Sequence, residues 1–247
     1  MNTTRAEAAS GRIFVAVAAL LFLGSVAATI RWSLAMSGMG AMPMPGGWLL
    51  SMVWLRECGR SWAGSAADFL FMWGVMMAAM MLPSLVPVLW YSRQAAGRYL
   101  AGLGYCLVWA GFGLAVFVMG AASAAALQRL PELAVVVPLA AGLVVMAAGV
   151  LQFTAWKAHH LACCRVAPAA GAAWRQGLRL GLHCCACSAG PTAILLAVGI
   201  MELRAMAVVA AAVTIERLAP DGARAARAIG VVAIGGGLLL IVRAVAG

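Results

Sequence analysis

The chain has 247 residues, 65% of them hydrophobic and 10% charged, with a formal net charge of +10. A soluble domain of this length cannot hide that much apolar surface, so lipid is the solvent for most of the chain. Basic residues that would point to nucleic acid in a soluble protein are scattered here between apolar runs, where they read as topology signals.

Backbone polar groups in hydrocarbon must be satisfied internally, by helices or by a closed barrel. The apolar runs are long, rich in Ala, Leu, Val, Gly and Met, and lack the alternation of barrel strands, so helices are expected. The reading is an all-α, polytopic transmembrane helical bundle forming one integral membrane domain over residues 1–247. Seven spans are predicted, near 13–30, 68–90, 100–120, 133–154, 183–201, 203–219 and 228–246. Arg5 and Arg12 precede the first span, and no small-x-small cleavage site follows it, so it reads as a retained signal anchor.

The outer loop after it, 31–67, contains MSGMGAMPMPGG, a stretch with no helical or strand period that is expected to be flexible. Its Met36, Met39, Met42 and Met44 are spaced to wrap one Cu(I), although methionine in such a loop needs no ligand to explain it. Asp68 reads as the cap of the second span. That span holds Met72, Met76, Met77, Met80 and Met81, with Met76 and Met80 on one face at i, i+4. Thioethers are soft ligands that select Cu(I), but methionine also packs well among small residues. Pro83 and Pro87 are expected to bend the span and free carbonyls near the methionine face.

The segment 155–187, read as an inner loop, gathers His159, His160, His183 and five of the seven cysteines: Cys163, Cys164, Cys184, Cys185 and Cys187. Cys184 and Cys187 are a CxxC pair, and His160 and Cys164 stand at i, i+4, so each pair can face one ion from one helix. Adjacent doublets point apart, so not all five cysteines can serve one site. Nearby Lys157, Arg165 and Arg179 favour the thiolate, the form that ligates. Cys58 and Cys106 stand alone and read as small apolar fillers. The spans near 183–201 and 203–219 are joined only at about Glu202, as a tight hairpin or a re-entrant pair. Glu216 beside Arg217 reads either as a snorkelling pair or as support for the cysteine cluster. Gly235, Gly236 and Gly237 in the last span read as helix packing.

With the amino terminus inside, eleven of the seventeen Lys and Arg residues fall on the inner side, which favours that orientation and an outside carboxyl terminus. The cysteine cluster then faces the reducing side of what is expected to be the cytoplasmic (inner) membrane.

Several segments resemble the DUF2182 family of predicted metal-binding integral membrane proteins, from about Asp68 to Pro220. Trp73, Met76, Ala79, Met80, Met81 and Pro83 are similar to its W-x-x-M-x-x-A-M-M-x-P pattern, and Gly104, Tyr105 and Trp109 to its next span. Gln152, Lys157, Leu161, Cys164 and Arg165 follow its Q-x-x-x-x-K-x-x-C-L-x-x-C-R, with His160 where the first Cys belongs. Gly177, Gly181, Cys184 and Cys187 follow its G-x-x-x-G-x-x-C-x-x-C-C, with Ser188 in place of the last Cys. The match ends with Gly199, Met201, Leu203, Met206 and Glu216-Arg217-Leu218, the last similar to a family E-K-L. The resemblance implies metal binding. The exchange at 160 keeps a ligand, and Ser188 loses one.

The function read from the sequence is the binding and handling of a soft metal ion, Cu(I) first and Zn next, by His160, Cys164, Cys184 and Cys187, with Met76 and Met80 in a methionine-lined path. No catalytic residue is identified. Expected partners are the lipid bilayer, the metal ion, and a metallochaperone or other membrane subunits, with no nucleic acid. The alternatives are a membrane thiol-disulfide oxidoreductase using the CxxC pair and a structural subunit of a larger membrane assembly.

Overall fold

The apolar runs fold as helices in a computed structural model that describes residues 2–38, 42–56, 59–90, 95–165 and 172–246. In chain order these are α1 (Asn2–Gly38), a hairpin of β1 (Met42–Met44) and β2 (Trp48–Leu50), α2 (Trp62–Trp90), α3 (Ala95–Arg129), α4 (Pro131–Val135), α5 (Val137–Leu151), α6 (Ala155–Arg165), α7 (Ala173–Val198), α8 (Leu203–Leu218) and α9 (Gly222–Ala246). Five are long and apolar enough to cross a membrane: α1, α2, α3, α7 and α9. The pair α5 and α6 reaches that standard only together, across a bend of 67°. Helix α8, expected as a span, has 16 residues. At 1.5 Å per residue it is about 24 Å long, short of a hydrocarbon core of about 30 Å.

The bend between α5 and α6 has a local cause. The amides of Gln152, Phe153 and Thr154 reach back three residues, to Gly149, Val150 and Leu151, which tightens the end of α5. Thr154 then caps α6, its Oγ1 accepting from the Lys157 amide at 3.2 Å. The segment 155–187 is therefore helical over α6 and the first half of α7, with 166–171 outside the described residues.

The outer loop is more ordered than its composition suggests. Gly46 and Gly47 adopt positive φ of 93° and 73°, which closes a hairpin with Met42 opposite Leu50 and Met44 opposite Trp48. The Trp48 indole donates to the Ala134 carbonyl at 2.8 Å, pinning the hairpin to α4. Met36 belongs to α1 and Met42 and Met44 to β1, while Met39 and Cys58 lie outside the described residues. Asp68 does not cap α2. That helix starts earlier, with Ser61 Oγ accepting from the Gly64 amide at 3.1 Å, and Asp68 in its second turn pairs with Arg60.

Two close helix pairs set the frame. Between α5 and α9, a Cβ on Gly142 would stand 3.1 Å from the Gly237 carbonyl and one on Gly149 would stand 2.9 Å from that of Gly230. Only glycine permits that approach, as expected where lipid supplies no hydrophobic drive and contact must come from close packing. Of the triplet in α9, Gly237 makes this contact and Gly235 and Gly236 face open space. Between α3 and α7, Gly104 lies against the Trp174 carbonyl and Gly181 against Val108. An aromatic layer fills the space between α2 and α3. Phe69 and Trp73 pack on Trp109, Phe112 and Phe117, and the Trp73 indole donates to the Trp109 carbonyl at 3.0 Å. Large side chains such as Leu20, Phe71, Leu103 and Val232 point outward, as a lipid-facing surface requires.

Candidate functional site

On α7, Cys184 and Cys187 stand at i, i+3 and both face inward, with 0% and 2% of their surface exposed. The close approach of α7 to α3 brings the Tyr105 hydroxyl to 2.8 Å from Cys184 Sγ. Helix α6, fixed by its Thr154 cap, presents Cys164 Sγ 3.5 Å from Cys187 Sγ. From α2, Met81 Sδ lies 4.0 Å from Cys184 Sγ. From α8, Arg217 Nη2 donates to Cys184 Sγ at 2.8 Å and to Cys187 Sγ at 3.1 Å, while its Nη1 donates to Ser84 Oγ at 3.2 Å. Five helices therefore deliver three thiols, a thioether, a phenol and a guanidinium to one buried place.

A second polar layer braces the first. Lys157 Nζ pairs with Glu216 Oε2 at 2.6 Å, with both side chains 2% exposed, and Gln152 Nε2 donates to Glu216 Oε1 at 2.8 Å. Lys157 Nζ also donates to the Cys187 carbonyl. That carbonyl is available for a reason legible in the chain: its helical donor would be the amide of residue 191, which is Pro191 and has none. Lys157 thus takes the place of a missing backbone donor and fixes the turn that carries Cys187. Arg165 donates to the carbonyls of Glu216 and Ala219 and so closes the end of α8.

Charge decides what this arrangement suits. Lys157 and Glu216 cancel. Arg217 is buried and has no carboxylate partner among the described residues, so its acceptors are the two cysteine sulfurs and Ser84. A buried cation facing sulfur is satisfied when the sulfur carries negative charge, and thiolate is the form that binds soft metals.

The ligand set read from spacing is brought together in part. Cys164, Cys184 and Cys187 converge. His160 is half-exposed, and its Nδ1 meets His183 Nδ1 at 2.9 Å rather than a sulfur. Met76 is buried beside Met72, Met201 and Met206, and Met80 is buried in the same core. The methionine sulfur that reaches the cysteines belongs to Met81, on the face at i+4 from Met77. Glu216 and Arg217 are not a snorkelling surface pair: both are buried, and each serves the cysteine cluster differently. Their signal was present as two charges adjacent in an apolar helix, and the position of Tyr105 was marked only by resemblance. Among the described residues, no three His, Cys, Asp or Glu side chains already surround one point as a preformed metal site. The donor chemistry, thiols and thioether without carboxylate, suits a soft metal ion over a hard one.

The chain matches the family described as PpoB2, copper chaperone, over residues 70–240, more than half of its length. No curated protein and no solved structure matches it.

Proposed function

We propose, for a chain that belongs to the PpoB2 copper chaperone family, that its cargo is Cu(I), held by Cys184 and Cys187 in the middle of α7 and by Cys164 near the end of α6. The observation that carries this reading is three thiols from two helices gathered about one buried guanidinium. A Cu(I) ion between two thiolates leaves one net negative charge. Arg217 supplies the opposite charge, so the loaded site is neutral in a medium where an unbalanced charge is expensive. Two metal–sulfur bonds of about 2.3 Å span at most about 4.6 Å, so the 3.5 Å between Cys164 and Cys187 is within reach of one ion. Met81 stands ready as a weaker ligand or as the next stop.

The methionines support a route toward the other end of the bundle. Met36, Met52 and Met72 line a cavity of about 590 Å³ beneath the outer loop. Met72 also borders a narrow gap lined by Met76, Met201 and Met206. Met72, Met76 and Met80 recur every four residues on α2, steps of about 6 Å along one face, and Met81, next in the chain but on the Met77 face, reaches Cys184. In this reading Met76 and Met80 are relay positions. His160 is not a ligand of the buried site. The amino terminus is inside, and the thiols are kept reduced by the cytosol.

The test is Cu(I) binding to the detergent-solubilised protein in competition with a colorimetric Cu(I) chelator. The parent should bind tightly, and Cys184→Ser with Cys187→Ser should weaken binding at least about tenfold, which is about 1.4 kcal/mol. Met81→Leu should weaken it less. Serine variants that bind like the parent, or a parent that takes up no copper, would sink the proposal. The 3.5 Å between Cys164 and Cys187 also suits a dithiol couple. Thiol trapping across graded redox buffers separates the two readings, since an oxidoreductase shows a reversible disulfide and no retained metal.

A further inference from the structure

Helices α6 and α7 carry donors on two faces. One residue before two of the three buried cysteines stands a donor aimed the other way: Cys163 precedes Cys164, and His183 precedes Cys184. These outward groups gather into a second cluster. His160 Nδ1 is 2.9 Å from His183 Nδ1, and their ring centres are 5.1 Å apart. The His159 ring lies 5.4 Å from that of His160 and 6.3 Å from that of His183. Cys163 Sγ is 3.7 Å from His159 Nε2. The Trp156 ring packs against His160 at 4.7 Å and sets the orientation of that imidazole. Unlike the buried thiols, all four donors are partly or fully exposed.

Two ring nitrogens approach to 2.9 Å when one of them holds a proton that both share. A cation replacing that proton is attractive to the same pair of lone pairs. Metal–nitrogen bonds of about 2.0–2.1 Å at a tetrahedral angle place the nitrogens about 3.3 Å apart, so the pair must open by only a few tenths of an ångström. Half-exposed side chains accommodate that by rotation. The remaining donors, an imidazole and a thiol, flank the pair within one turn of α6.

We propose that His160 and His183, with His159 and Cys163 as supplementary donors, form a second, solvent-reachable Cu(I) site that exchanges the ion with its surroundings and passes it to Cys164 and Cys184, one residue deeper on the same two helices. Binding at both Nδ1 atoms moves the shared proton, through solvent, to the Nε2 of the ring that carried it, so that two neutral imidazoles hold the ion. The proposal rests on the copper reading of the buried site, and it makes the surface cluster the point of exchange.

The experiment uses the whole protein in detergent, with Cu(I) as the probe and three proteins: the parent, His160→Ala/His183→Ala, and Cys164→Ser/Cys184→Ser/Cys187→Ser. Copper stoichiometry is measured together with the nitrogen and sulfur scattering of bound copper by X-ray absorption, and circular dichroism confirms that each protein is helical. The cysteine variant should retain copper with nitrogen neighbours. The histidine variant should keep sulfur-bound copper but load from a Cu(I)–chelator complex at least about tenfold more slowly than the parent. Copper in the parent bound by sulfur alone, with none retained by the cysteine variant, overturns the surface site and leaves the buried site standing. So does a histidine variant that loads as fast as the parent. A parent that binds no copper overturns both.

Discussion

Lys157→Met removes one charge from an ion pair that hardly touches solvent. Its Nζ lies 2.6 Å from Glu216 Oε2, both side chains are 2% exposed, and the same nitrogen donates to the Cys187 carbonyl. After the substitution, Glu216 retains only the Gln152 amide at 2.8 Å as a side-chain partner among the described residues. The Cys187 carbonyl loses its substitute donor, because Pro191 cannot provide one. Removing one partner of a buried pair costs about 3–5 kcal/mol, and an orphaned buried carbonyl costs about 1–3 kcal/mol. The two overlap, so a loss of at least about 3 kcal/mol is expected. The double variant Lys157→Met/Glu216→Gln leaves no uncompensated charge and should recover most of that loss. The assay is reversible unfolding in mixed micelles of mild and denaturing detergent, followed by helix dichroism and tryptophan fluorescence. If Lys157→Met lies within about 1 kcal/mol of the parent, or the double variant is less stable than either single one, the pair does not brace the site.

Arg217→Gln should lower Cu(I) affinity at least about tenfold in the chelator competition, because the bis-thiolate complex then carries its negative charge unopposed. Arg217→Lys should fall between, keeping the charge but not the fork that bonds Cys184, Cys187 and Ser84 together; unchanged affinity in both would remove the guanidinium from the site. Gly149→Val should destabilise the bundle by about 1–3 kcal/mol, since its Cβ would meet the Gly230 carbonyl. Gly235→Ala, which faces open space, should stay within about 0.5 kcal/mol. Equal effects in unfolding measurements would contradict the α5–α9 contact.

Features that depend on local chemistry are legible in the chain. Long apolar runs require helices in lipid, and α1, α2, α3, α7 and α9 follow from that alone. The shared face of Cys184 and Cys187 is a property of helix geometry and needs no neighbour. The start of α2 was misplaced for a local reason: Ser61 and Asp68 are both competent caps, and the serine, lying farther out, wins. The hairpin at Met42–Leu50 escaped because its strands have three residues each, too few for a period, although Gly46-Gly47 was a turn signal.

The partners of each face were a matter for the tertiary structure. Lys157 and Glu216 are 59 residues apart, and Cys184 and Arg217 are 33 apart. Nothing in either segment says that they meet. In a water-soluble protein, polarity would mark the buried side of each helix. In lipid, both the interior and the surroundings are apolar, so the methionine stripe of α2 gives no sign that Met81, rather than Met76 or Met80, turns toward the cysteines. The pairing of His160 with His183 arose the same way, from the angle at which α6 leaves the bend after α5 and crosses α7. Composition determined the solvent and the helices. Helix rotation and crossing, fixed by glycine contacts distant in sequence, decided which sulfur faces which charge.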